Sequence, residues 1–213
     1  YGGKVRLYDG IRGWFRRINT YGERRGILVE HYIISSGLRE IIEGTAIAKD
    51  FTHIYASSFY YNEHGEPCWP AQVINYTNKT QFLFRIEKGI LDINDNAVND
   101  HFAEGELRVP FRNIVYIGDS ATDIPCMRLV NSLGGHSVGV YDSENTDSKD
   151  TVRRMIWDER IRYYVPADYT KGSEMDTLMH RIIDKTAAYE VLEEKHLRDR
   201  KEAVSCNDRC YSS

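Results

Sequence analysis

Residues 113–123 read NIVYIGDSATD. An apolar, β-branched run ends at Gly118, and Asp119 and Asp123 stand just beyond it. The run has the length and composition of a buried strand. The polar residues after it open a helix, TDIPCMRLVNSLG (122–134), whose apolar residues recur at helical spacing. HSVGVY (136–141) is then a second strand, DSKDTVRRMIWDER (147–160) a second helix and RIRYYVPAD (160–168) a third strand. Strands alternating with helices of this length mean βαβ units around a parallel sheet, so the fold class is α/β. A long helix from Ser173 to about Ala203 follows, charged on most sides over residues 187–203.

Upstream, Ile11, Trp14, Phe15, Ile18 and Tyr21 fall at three- and four-residue steps, which predicts an amphipathic helix within residues 5–25. HYIISSG (31–37) and LREIIEGT (38–45) read as strand, tight turn and helix, the helix stopping at Gly44. HIYASSFYYN (53–62), the turn EHGE and CWPAQVIN (68–75) predict a hairpin at a sheet edge, with Phe59, Tyr60, Tyr61 and Trp69 packed along it. A helix is expected from Asn78 to Gly89, and the polar residues 91–106 form a surface connection.

Composition narrows the class. With 41% apolar and 28% charged residues and a net charge of -4, the 213-residue chain is neither disordered nor a nucleic-acid binder. Cys68, Cys126, Cys206 and Cys210 follow no disulfide or zinc spacing, which predicts reduced thiols. No apolar run reaches the roughly 20 residues of a membrane helix, and YGGKVRLYDG is no signal peptide, so a cytoplasmic protein without a membrane partner is expected. The first residue, Tyr1, predicts a processed chain or a fragment.

In open α/β sheets, ligands bind at the carboxyl ends of strands. Three polar groups fall there. Ser35 ends the run YII, with Gly37 close behind, and a hydroxyl there can donate to a phosphoryl oxygen; it could equally cap a helix. Lys79, in Asn78-Lys79-Thr80, opens a helix where the dipole is positive, which calls for a compensating anion unless the side chain simply extends into solvent. Asp119 at a strand tip and Asp123 in the next helical turn can meet a hard cation, or cap that helix. Together, a hydroxyl, a lysine and a carboxylate pair form a phosphoryl-transfer set.

In this order, with IISSG, NKT and IGDSATD, the chain resembles the haloacid dehalogenase superfamily, and within it phosphatases similar to phosphoserine phosphatase, from about Gly26 to about Asp184. The resemblance implies a Mg2+-dependent phosphohydrolase acting on a small phosphorylated metabolite. Ser35 would bind the phosphoryl group, with Ser36 as the alternative register and Gly37 beside them. Lys79 would neutralise phosphoryl charge, Asp119 would ligate Mg2+, and Asp123 would support the metal or hold Lys79.

The family's nucleophile motif, Asp-x-Asp-x-Thr or Val, follows a central strand between the strands assigned to YIIS and IVYI. Neither Asp92-Ile-Asn94 nor Asp142-Ser-Glu144 stands in its place. The resemblance thus implies a three-layer, doubly wound parallel sheet whose N-terminal central strand is absent from this chain, and a fragment inactive as given. It divides the chain into residues 1–25 (an amphipathic helix, remnant of a cap or linker), a core over 26–184, and a charged helical extension with a polar tail over 185–213. The alternatives are a non-catalytic phosphate-binding module and a receiver-like signalling domain. A receiver places its acid pair first and its lysine last, the reverse of the order here.

Overall fold

The computed structural model describes residues 2–210. It is α/β, with parallel strands flanked by helices. In the first half, helix α1 (Ile11–Glu23) leads to strand β1 (Tyr32–Leu38), the short helix α2 (Arg39–Glu43), the hairpin β2 (His53–Tyr61) and β3 (Pro67–Gln72), and helix α3 (Thr80–Lys88). The second half alternates regularly through β4 (Val115–Gly118), α4 (Ile124–Ser132), β5 (His136–Tyr141), α5 (Thr146–Trp157), β6 (Tyr163–Pro166) and α6 (Glu174–Cys210).

The strands form two sheets, β1-β2-β3 and β4-β5-β6. β1 runs parallel to β2 and β5 runs parallel to both its neighbours, while β2 and β3 are antiparallel. β1 and β4 are therefore both edges, each bonded on one side only among the described residues. Every residue of β5 is buried. A strand covered on both faces reads as a continuous apolar run, as HSVGVY nearly does.

α1 starts at Ile11, the first residue of the apolar spacing, within the 5–25 span expected. Gly10 adopts φ 78°, and a Cβ there would meet the Tyr169–Thr170 backbone at 2.4 Å, so the chain turns sharply before the helix begins. Trp14, Phe15 and Ile18 then enter one cluster with Val138 and Val140 of β5 and Met175 and Met179 of α6. This is the packing of a core helix, and Arg17 fastens it by donating to Asp176 at 2.9 Å and to the Tyr169 carbonyl at 2.7 Å. On α6 burial ends at Ile183, and Val191 and Leu192 are exposed.

Two local expectations change. The hairpin forms, but Tyr60 is 64% and Trp69 72% exposed, because β2 runs on past β1 and α2 reaches only Phe59 and Tyr61, through Glu40. α3 begins at Thr80 instead of Asn78, since Asn78 spends its side chain closing the preceding turn with the Asn75 amide and the Val73 carbonyl. The polar connection is held by the buried Arg85, whose guanidinium donates to the carbonyls of Asp92, Ile93 and Asp95.

Candidate functional site

β4 and α3 bring Lys79 and Asp123 together. Lys79 Nζ lies 2.7 Å from Asp123 Oδ1, with side-chain exposures of 6% and 9%. Three features of the sequence permit it. Gly118 ends β4 without a side chain, and a Cβ there would lie 2.8 Å from the Asp123 carboxyl, so only glycine admits the acid. A short 3-10 turn, Ala121–Asp123, then swings Asp123 back beneath the strand tip, and Pro125 opens α4 where its missing N–H costs nothing. Lys79 immediately precedes α3, in helical conformation, which buries its ammonium.

Asp123 is well supplied with donors. Besides Lys79, Tyr116 Oη donates to Oδ1 at 2.9 Å and Ser120 Oγ to Oδ2 at 3.1 Å. Burial first, and then the Asp123 carboxylate, push the Tyr116 phenol far up, so it stays a donor. Burial likewise raises Cys126, on the first turns of α4, to about 11, which keeps it an inert thiol. Lys79 is less well supplied with acceptors. An ammonium carries three donors, and among the described residues only one finds a partner.

Ser35 does not cap a helix; Leu38 stands at the start of α2. Instead Ser35 Oγ accepts the Gly37 amide at 3.0 Å, closing a tight turn in which Ser36 and Gly37 are exposed. That turn is tied to β2, because Ser57 Oγ donates to the Ser36 carbonyl at 3.2 Å while accepting the Ile74 amide. Asp119 is exposed at the tip of β4 and makes no hydrogen bond or ion pair among the described residues.

Lys79 and Asp123 thus meet, Ser120 and Tyr116 join them, Asp119 stands exposed at the same tip of β4 without joining the pair, and the Ser35–Gly37 turn lies at the end of β1. Of the two roles implied for Asp123, the geometry is that of holding Lys79. A Mg2+ ion takes one or two carboxylates, with water and phosphate oxygens completing its octahedron. Asp119 fits that requirement as one carboxylate. No group of three or more His, Cys, Asp or Glu clusters for a metal among the described residues. Tyr116 and Ser120 escaped sequence reasoning, although Tyr116 shares a strand face with Gly118 at two-residue spacing, and that could have placed it beside the acid.

The model of the haloacid dehalogenase-like hydrolase family matches residues 4–128. An uncharacterized protein of Borreliella burgdorferi is 26% identical over 194 residues, an alignment covering 82% of this chain and 65% of the relative. The chain therefore spans 65% of the length of that relative.

Proposed function

The chain belongs to the haloacid dehalogenase-like hydrolases, and we propose that it supplies the phosphoryl-binding side of a Mg2+-dependent phosphatase for a small phosphorylated substrate. The observation that carries this reading is the ammonium of Lys79, buried, fixed by Asp123 and left with two donors that find no partner among the described residues. Burying a charge is costly unless its hydrogen bonds are made. Phosphoryl oxygens and an attacking carboxylate would complete them.

The other roles follow from position. The Ser35 hydroxyl and the exposed Ser36 bind phosphoryl oxygens, with the Gly37 amide fixing Ser35 Oγ, and Asp123 orients Lys79. Asp119 holds the Mg2+, which when bound supplies Lewis-acid stabilisation of phosphoryl charge. The free edges of β1 and β4 each leave a row of main-chain N–H and C=O groups that a further strand would satisfy. A parallel strand bonded to both would carry the carboxylate nucleophile in line with Lys79.

The test is magnesium-dependent hydrolysis of an aryl phosphate by the full-length gene product. Lys79→Ala should lower turnover by about tenfold to a hundredfold, as loss of a group that stabilises transferring charge does. A loss of under about threefold, roughly 0.65 kcal/mol, would remove Lys79 from the mechanism. EDTA should abolish hydrolysis, and Mg2+, not Zn2+, should restore it. Hydrolysis that persists in EDTA would rule out the metal role of Asp119. The non-catalytic module predicts phosphate binding with no turnover in any form of the protein.

A further inference from the structure

We propose that Tyr60 and Trp69 form a stacking wall for a planar, aromatic leaving group, so that the preferred substrates are phosphomonoesters of ring-bearing alcohols or phenols; this rests on the phosphatase reading above. β1 and β2 are parallel, and β2 leaves the sheet at the same end as the Ser35–Gly37 turn. Beyond that point it continues as a two-stranded ribbon with β3. The base of the ribbon is anchored to the turn by the Ser57–Ser36 bond of 3.2 Å, and on its other side the Phe59 amide donates to Glu40 Oε1 at 3.1 Å.

Distance then selects the role. At about 3.3 Å per residue, Tyr60 stands roughly 10 Å along the strand from Ser57. That interval is about the reach of an aromatic ester whose phosphoryl oxygens lie on the turn. Tyr60 and Trp69 oppose each other in the ladder, so their side chains share one face of the ribbon. They are 64% and 72% exposed. Two large neighbouring rings left uncovered mark a recognition surface, and stacking on them asks only for a flat partner.

A second copy of the chain is the poorer occupant. β3 has six residues, of which Pro67 and Pro70 carry no N–H, so its outer edge is a weak template for strand addition.

Binding and turnover test the inference separately. In the chain itself, 4-nitrophenyl phosphate should quench tryptophan fluorescence saturably where glycerol phosphate does not, and Trp69→Phe should remove the Trp69 share while Trp14 and Trp157 remain. In the full-length gene product, Tyr60→Ala and Trp69→Ala should each lower kcat/KM for 2-naphthyl phosphate relative to glycerol phosphate by about tenfold through KM, and Trp69→Phe should retain most of it. Both sites are exposed, so the variants should fold, which circular dichroism checks. An unchanged ratio, an equal fall for both esters, or a concentration-dependent dimer that Trp69→Ala dissolves would overturn the wall. If the wild type hydrolyses neither ester, the phosphatase reading fails by itself. The quenching then decides for the wall, and its absence decides against it.

Discussion

Asp123→Asn should lower folding stability by about 3–5 kcal/mol, the cost of leaving a buried charge without its partner. The residue is 6% exposed and its carboxylate gathers Lys79, Tyr116 and Ser120. An asparagine keeps the shape but turns one oxygen into a donor, which then opposes the ammonium or a hydroxyl. Urea unfolding gives the difference directly, through a shifted midpoint with an unchanged slope. The single variant Lys79→Met should cost less, because Tyr116 and Ser120 still solvate the remaining carboxylate. Combining Lys79→Met and Asp123→Leu should recover part of the loss, since apolar pairs of similar volume often replace buried ion pairs without penalty. Adding Tyr116→Phe should recover more, by removing a phenol left without an acceptor. If the losses of Lys79→Met and Asp123→Leu made singly simply add in the double variant, the pair is not a coupled unit.

The stability and catalytic expectations pull apart at this site. The apolar double variant would fold well and turn over nothing, because its oxygens and ammonium are gone. On the proposed reading, the Lys79 donors that find no partner among the described residues serve an anion.

Legibility in the sequence followed the range of the forces involved. The run IVYI and the alternation after it specify βαβ units through periodicity, a local property, and the second half of the chain follows that pattern element by element. The same periodicity marks the start of α1 at Ile11, but the sharp turn at Gly10 that precedes it is set against the Tyr169–Thr170 backbone, far off in the chain. The hairpin showed the same limit in reverse. FYY and CWPAQ have strand composition whether or not anything covers them, and composition does not tell Tyr60 and Trp69, left exposed, from packed residues. Lys79 and Asp123, which the structure pairs, stand out in the sequence because strand ends are the place to look. What Asp123 touches depended on Gly118 lacking a side chain and on the phenol of Tyr116, two features that a hydrophobic pattern treats as strand filler.

Acid should unfold this protein earlier than its carboxylates alone would, through His31 and His136. Burial lowers both to about 4 from an ordinary 6.5, with the neighbouring cations Lys185 and Arg162 adding to the effect at His136 and Asp50 opposing it at His31. His136 is 2% exposed, and Lys185 Nζ lies 3.1 Å from its Nε2, so that nitrogen accepts and the proton sits on Nδ1, which has no partner. Protonating the ring would set a second buried cation against the lysine. His31 Nε2 meets Asn19 Oδ1 at 2.7 Å among the rings of Trp14 and Phe15. Both groups are depressed in the folded state, so below pH 6.5 the unfolded chain binds the protons first, and stability falls as pH drops from about 6.5 to about 4. Above that window the contribution is complete. The slope should reach about 2.7 kcal/mol per pH unit where both sites act, with a total on the order of 1–3 kcal/mol for each. Asp176 and Asp184 are lowered from 3.8 and so act only at more acidic pH, which separates them from the histidines. Urea midpoints from pH 4 to 8 measure the slope. His136→Gln should flatten it by about half, since a neutral amide has no proton to gain, and an unaltered slope would place the acid sensitivity elsewhere.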